Sequence, residues 1–245
     1  NLGAAYYHSC NRGKRSVAVD FENPDDLALV RRLAAHADVV IENFKVGGLA
    51  RYGLDYPGLK AANPGLVYCS ITGFGQDGPY APLAGYDYMV QGMGGLMEMT
   101  GEPDGMPMKI GVPIVDQVTG IYASTAILAA LHRRERTGEG GYVDMALLDT
   151  TVALLQVHAL NHLIAGYTPT RVGNAHVNIV PYQVMPAADG HLIIAVGNDG
   201  QYRKFCDLIG LPELATDPRF VTNGERVKNR EALIPLITAR TIAFE

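Results

Sequence analysis

"DVVIENF" at residues 38–44 and "GLVYCSIT" at residues 65–72 are near-continuous apolar runs. Between them "YPGLKAANP", residues 56–64, has a short helical pattern that stops at Pro64. Strands apolar on both faces and separated by helices belong to a parallel sheet covered on both sides. Upstream, "VAVDF" (17–21) predicts another strand, and Asn23-Pro24-Asp25-Asp26 supplies a cap, a first-turn proline and first-turn acids for a helix. In that helix Leu27, Val30, Leu33, Ala34 and Ala37 form one apolar stripe, with Arg31 and Arg32 on the other face.

Residues 73–115 are dense in glycine, proline and methionine and show little periodicity before Tyr88. Such irregular segments inside compact domains are usually functional or disordered, and this one carries too many Tyr, Met and Leu for a disordered linker. A helix is then predicted from about Gln117 to Arg136, ending at Thr137-Gly138, with Val118, Ile121, Tyr122, Thr125 and Leu128 as its apolar face. A second is predicted from about Asp144 to Ala165, with Leu147, Leu148, Val152, Leu155, Ala159 and Leu163 in its stripe. Two strands joined by the Ala188-Asp189-Gly190 turn follow. The tail from Gln201 reads as helical with a break at "LPELATDPRF". The chain opens in mid-pattern and stops in "LITARTIAFE" without a helix-ending signal, so it reads as a segment of a longer protein.

Hydrophobic residues make up 48% and charged residues 18% of the 245, a globular composition. A net charge of −5 provides no general attraction to nucleic acid or to an anionic membrane. No eighteen-residue uninterrupted apolar stretch predicts a membrane span, and the start lacks a secretory pattern. Cys10, Cys69 and Cys206 are odd in number and lack CxxC spacing, which suggests reduced thiols in a cytoplasmic setting, or the mitochondrial matrix if the source is eukaryotic. "GMGGLM" (92–97) lacks the Gly-Lys-Ser/Thr of a phosphate loop, and no GxGxxG opens a helix. No His/Cys cluster predicts a metal site, and Ser16, Ser70 and Ser124 lack the Gly-x-Ser-x-Gly elbow.

The pattern leaves one charge to explain. Asp116 stands between Val112, Ile114 and Val115 and the long helix, where burying a carboxylate is expensive unless it is paired or used. Taken alone it reads as a helix N-cap. Arg12, Lys14 and Arg15 read as a solvated face or a phosphate cluster. Asn43-Phe44-Lys45 and Arg51 lie where α/β sheets bind ligands, beyond the carboxyl ends of the strands. Tyr86-Asp87-Tyr88 reads as core filler or a ligand wall. His36, His132, His158 and His162 read as packing or surface residues within helices, whereas His176 sits in a loop.

Six stretches together resemble the class III CoA-transferase family, named for carnitine and bile-acid CoA-transferases. They are "NRGKRSVAVDF", "ADVVIENFKVGGLARYGLDY", "NPGLVYCSITGFGQDGPYA", "GYDYMVQGMGGLMEMTGEPDG", "GVPIVDQVTGIYASTAILAALHRRERTGEGGYVDMALLD" and "GNAHVNIVPYQVM" followed by "DGHLIIAVGND". They cover almost the whole chain in the family's order. The resemblance implies an α/β fold, a Rossmann-like parallel-sheet large domain with a smaller α+β domain, in an interlocked homodimer. On it the chain divides into a CoA-binding large domain (1–135, first unit missing upstream), a linking helix region (136–175) and a small domain (176–245, its C-terminal part missing).

The resemblance also gives Asp116 a role. It implies a nucleophile that attacks an acyl-CoA thioester, forms a mixed anhydride, and then carries CoA as an aspartyl thioester until an acceptor carboxylate takes it. Acyl-CoA donor and carboxylic acid acceptor are the implied partners, with CoA as substrate, no tightly bound cofactor and no metal. Such intermediates hydrolyse readily, so a dry site is expected, and the apolar residues flanking Asp116 fit that. Family CoA contacts map onto Val19, Asp20, Phe21, Glu22, Asn43, Phe44, Lys45, Arg51, Ala84, Gly85, Tyr86 and Asp87. Lys45 and Arg51 would meet phosphate, and Gly85 and Tyr86 the pantetheine arm. Gly173-Asn174-Ala175 corresponds to a loop over the active site, with fewer glycines than in some members. "RVGNAHVNIVPYQ" (171–183) looks like the succinyl-CoA–glutarate branch, in which Arg171 and His176 would bind the far carboxylate of a dicarboxylic acid; otherwise Arg171 is a surface residue. A racemase branch has a histidine where this chain has Tyr86, and a phenol with a pKa near 10 is a poor proton-transfer partner. Racemase, and a non-catalytic CoA-binding or assembly protein, are the alternatives.

Overall fold

A computed structural model describes residues 4–244. Its elements in chain order are α1 (Ala5–Asn11), α2 (Pro24–Ala35), β1 (Val39–Glu42), α3 (Tyr56–Ala62), β2 (Val67–Thr72), α4 (Asp87–Met93), α5 (Leu96–Met99), α6 (Ile114–Thr137) and β3 (Gly141–Ala146). These are followed by α7 (Leu147–Leu155), α8 (Val157–Ala165), β4 (Tyr182–Ala187), β5 (Gly190–Ala195), α9 (Asp199–Leu208), α10 (Asn223–Lys228) and α11 (Arg230–Thr241). The fold is mixed α/β and divides into two compact units: residues 1–90 with 113–154, and 91–112 with 155–245.

In the first unit β1, β2 and β3 form a parallel sheet in that order, with Val67 opposite Val39 on one side and Gly141 on the other. β2 is central, and Val67, Tyr68, Cys69 and Ser70 are all buried, as a strand covered on both faces must be. One face packs Ala34, Leu49, Leu54, Leu59 and Tyr68 under α2 and α3, and the other packs Val67 and Cys69 against Ala123 and Ile127 of α6. The Asn23 side chain accepts from the amides of Asp25 and Asp26, the cap that the sequence predicts.

Three expectations are corrected here. "VAVDF" is not a strand: a strand needs a ladder partner, no described strand pairs with it, and Val17 and Val19 are exposed. The helix predicted from Asp144 is a strand up to Ala146, because "GYVDMA" completes the parallel ladder beside β2. The remainder is two helices, interrupted at Gln156, which has φ +39°.

α6 also differs from its pattern. It buries Val115, Thr119, Ala123 and Ile127, whereas Ile121, Tyr122, Thr125 and Leu128 of the predicted apolar face are exposed. Its 24 residues, about 36 Å, are long and apolar enough by composition to cross a membrane. Its buried face packs on β2 and β3 instead. Gly138, at φ +74°, closes the helix in a left-handed conformation.

The second unit is built on the antiparallel hairpin β4–β5, packed by α9 and α11 around Met185, Ile194, Tyr202, Cys206, Phe220, Leu233 and Ile237. Arg226 is fully buried there. It donates from Nε to the Val180 carbonyl (2.7 Å), from Nη1 to the Phe220 carbonyl (3.0 Å) and from Nη2 to Asp199 Oδ1 (2.8 Å), and it lies over the Tyr202 ring. A buried charge persists only when its donors are satisfied in this way.

Candidate active site

The C-terminal end of α6 lies at the start of β2, where Arg134 donates to the Gly65 carbonyl (3.2 Å). α6 therefore runs antiparallel to the strands, and its first turn emerges at their carboxyl ends, where open α/β sheets bind ligands. Asp116 sits in that first turn, third in the helix after Ile114 and Val115.

Asp116 is not the N-cap. Pro113 takes the cap position without a side-chain hydrogen bond. The orphan amides of Val115 and Asp116 donate instead to Oδ2 of Asp87, at 2.7 and 3.1 Å. A carboxylate 28 residues upstream in sequence thus caps the helix and leaves the Asp116 side chain uncommitted to that task. Crowding at the helix start, followed by the negative charge of Asp87, pushes the Asp116 carboxyl above the ordinary carboxylate range.

The expectation of a dry collar is also corrected, because Asp116 is exposed. Asp116, Thr119, Ala123 and Ile127 share the sheet-facing side of α6 by helical spacing. Ile121, Tyr122 and Leu128 project from the other side, so they cannot surround the carboxylate.

The residues mapped to CoA gather in the first unit. Asn43, Phe44, Lys45, Ala84, Gly85 and Tyr86 line one cavity of about 210 Å3, together with Thr72 and Gly73. Asn43 is fixed by donating to the Ile71 carbonyl at 2.6 Å. The 84–86 loop reaches the strand end because two backbones touch: a Cβ on Gly85 would lie 2.3 Å from Cα of Gly73. Asp87 follows directly, so one loop links the cavity wall to the α6 cap.

The 19–22 segment joins the same region. Val19 is exposed and outside any helix or strand, and Asp20 accepts from the Glu22 amide at 2.9 Å. Phe21 packs against Tyr52 and Phe44, with ring centroids 5.2 and 6.0 Å away. Glu22 pairs with Arg51 at 3.3 Å. Tyr86 is 72% exposed at the cavity mouth.

Sequence reasoning missed a second cavity beside the first, of about 410 Å3, shared through Lys45 and lined by Glu42, Asp55, Tyr56, Tyr68, Ser70 and Tyr142. Tyr56 and Tyr142 stack at 5.3 Å, and the Tyr142 hydroxyl donates to Ser70 at 3.0 Å. The period-two placement of Tyr68, Ser70 and Tyr142 on one sheet face was the available signal, but it required β3 to be read as a strand.

Arg171, Gly173, Asn174 and His176 belong to the second unit. Arg171 is not a surface residue: its side chain is 15% exposed, with Nη1 3.0 Å from Glu98 Oε2 and 3.2 Å from the Glu98 carbonyl oxygen. Gly173, at φ +59°, donates to the Gly101 carbonyl, and a Cβ there would meet Glu102 Oε2 at 2.9 Å. Asn174 stands in the turn closed by Ala175 N donating to the Val172 carbonyl. His176 Nδ1 accepts from the Asn178 amide (3.0 Å), and its ring packs on Tyr182. His158 is part-buried, and burial followed by the nearby His176 lowers its pKa. Among the described residues no group of three or more His, Cys, Asp or Glu is placed to hold a metal.

The CoA-transferase family III profile matches residues 1–244. The chain is 57% identical over its whole length to the succinate–glutarate CoA-transferase of Agrobacterium fabrum, spanning 61% of that protein. It is 43% identical over 98% of its length to the succinyl-CoA:glutarate CoA-transferase of mouse, spanning 55%. An acetyl-CoA:oxalate CoA-transferase of Acetobacter aceti is 42% identical over 93% of the chain and 59% of the relative. The crystal structure of a CAIB/BAIF family protein from Brucella suis is similar at TM-score 0.80 and 57% identity, over 99% of this chain and 64% of that one. The orthorhombic form of Rv3272 from Mycobacterium tuberculosis is similar at 0.84 and 32%, over 94% and 61%. The chain thus spans somewhat more than half the length of these relatives, and it belongs to CoA-transferase family III.

Proposed function

We propose that the full-length protein moves CoA from an acyl-CoA thioester to a free carboxylic acid, with Asp116 as the covalent relay. The observation that carries this reading is the Asp116 carboxylate in the first turn of α6, raised in basicity and freed from capping by Asp87, which directly follows the Ala84–Tyr86 wall of a cavity at the strand ends. An Asp116 oxygen attacks the thioester carbonyl, giving an acyl–aspartyl anhydride and CoA thiolate. The thiolate attacks the aspartyl carbonyl and expels the donor as its carboxylate. The acceptor carboxylate then attacks the aspartyl thioester, thiolate leaves again, and its attack on the acceptor acyl carbon forms the new thioester and restores Asp116. One thioester is consumed and one made, so no external energy source enters. The amides of Val115 and Asp116 are already engaged by Asp87, so the charge that develops at each attack is met by donors other than these two.

The names of the relatives support succinyl-CoA as donor and a dicarboxylic acid such as glutarate as acceptor. A transferase is favoured over a racemase because Tyr86 precedes Asp87 and these relatives are named transferases. The exposure of Asp116 requires that bound substrate or a second copy of the chain supply the dry surroundings. Separately, Ile121 and Leu128, each 66% exposed on the side of α6 away from Asp116, offer apolar surface for a homodimer to cover.

The test is the Asp116→Ala variant of the full-length protein with succinyl-CoA and glutarate, followed by mass spectrometry of the thioesters. Transfer should vanish, and hydroxylamine with acyl-CoA should trap a hydroxamate on Asp116 of the wild type. Undiminished transfer in the alanine variant would falsify the relay.

A further inference from the structure

Arg51 and Lys45 are the two cations of the CoA-binding region, and the structure equips them differently. Among the described residues no carboxylate pairs with Lys45. Arg51 Nη2 lies 3.3 Å from Glu22 Oε1. The same Glu22 oxygen accepts from the Tyr52 hydroxyl at 2.6 Å, and Arg51 donates to that hydroxyl as well, with its guanidinium 4.5 Å from the centre of the ring. The Glu22 backbone is held too, its amide donating to Asp20 Oδ1. Phe21, adjacent in sequence, ties this cluster to Phe44 and so to the segment carrying Lys45.

We propose that Glu22 is a resident counter-ion of Arg51 that the phosphates of an incoming CoA thioester must displace, making Glu22 a positioning residue that weakens phosphate binding. It rests on the reading of Arg51 as a phosphate contact. Both side chains are largely exposed, so the pair is weak and its displacement easy. The carboxylate nevertheless stays beside the bound phosphate, held by Tyr52, and like charges repel across a few ångströms. The arrangement serves release: a transferase must let go of each acyl-CoA product, and a tethered carboxylate returns to Arg51 as the phosphate leaves. Tyr52 responds as a phenol beside a carboxylate should, with its pKa raised first by the hydrogen bond to Glu22.

The experiment is calorimetric titration of the full-length protein, wild type, Glu22→Gln and Glu22→Ala, with CoA, 3′-dephospho-CoA and pantetheine at low and high salt. Both variants should bind CoA about two- to fivefold more tightly at low salt, the range of an exposed ion pair. The gain should shrink at high salt, where exposed charges are screened, and be absent with pantetheine, which has no phosphate. Loss of the gain with 3′-dephospho-CoA assigns it to the 3′-phosphate, and its persistence assigns it to the diphosphate; either supports the proposal. Unchanged or weaker CoA binding in both variants, or an equal gain with pantetheine, overturns it while leaving the CoA site standing. Absence of CoA binding by the wild type would remove the site and the proposal together.

Discussion

Replacing Asp87 separates its two effects on α6, capping and charge. Asp87→Ala removes an acceptor that serves two first-turn amides at 2.7 and 3.1 Å. A lost cap costs about 1–2 kcal/mol, and a carboxylate at the positive helix end contributes about a further 0.3–1 kcal/mol. The expected destabilisation is therefore about 2 kcal/mol by urea unfolding. Asp87→Asn keeps a side-chain oxygen for the amides but removes the charge that raises Asp116. On the proposed mechanism the acid limb of the transfer rate reports ionisation of Asp116, because only the carboxylate attacks. In Asp87→Asn that limb should move to lower pH, while remaining above the ordinary carboxylate range, because burial, the larger cause, is untouched. The assay is a pH–rate profile of the full-length protein with succinyl-CoA and glutarate, wild type against variant. An acid limb that stays in place or moves upward would refute the link between the cap and the nucleophile, even if the helix were destabilised as expected.

Four further outcomes are expected. Asp116→Asn should abolish transfer without lowering stability: the folded-state pKa is raised above 3.8, so the charge costs stability once pH rises through it, and the neutral amide avoids that cost. Thermal melts should place the variant at or above the wild type at pH 7 and level with it below about pH 4. Gly85→Ala forces apart backbones that meet at Gly73, and should cost about 3 kcal/mol or more in unfolding experiments and weaken CoA binding at least tenfold by calorimetry. Arg226→Met takes the side-chain donor from the buried Val180 and Phe220 carbonyls, while the part-exposed Asp199 keeps the Asn223 amide, and should cost about 2–3 kcal/mol in urea unfolding. Arg171→Gln breaks the contacts with Glu98 and should lower transfer to glutarate and to a monocarboxylic acid by the same factor; a loss confined to glutarate would return Arg171 to acceptor recognition.

The sequence announced what local chemistry controls. The apolar runs of β1 and β2, the Asn23 cap, the Pro64 stop, the Gly138 terminus and the hairpin turn at 188–190 each follow from their own residues. What it concealed depends on partners distant in the chain. "VAVDF" has strand composition but no strand beside it, whereas "GYVDMA" looks like the entry to a helix until β2 is there to pair with it. The α6 stripe misled for a related reason: its apolar residues are real, but the sheet takes the face of Val115, Thr119, Ala123 and Ile127 and leaves the greasier one open. The Asp87 cap and the Gly73–Gly85 contact likewise join segments that no short window contains.

The position of Asp116 follows from these long-range contacts and not from its flanking residues. An aspartate at a helix start would ordinarily turn back to accept the first amides, and a carboxylate so engaged is stabilised in its charged form and made a poorer nucleophile. Asp87 takes those amides first, and in doing so it sets a negative charge beside Asp116 that opposes its ionisation. The same residue directly follows Gly85 and Tyr86, whose loop is pressed against the end of β2 by a contact only glycine permits. Cavity wall, helix cap and carboxylate basicity are thereby coupled through one short loop. A shift of the 84–87 backbone would alter all three together, so substitutions at Gly73 or Gly85 should change the acid limb of the reaction as well as the affinity for CoA.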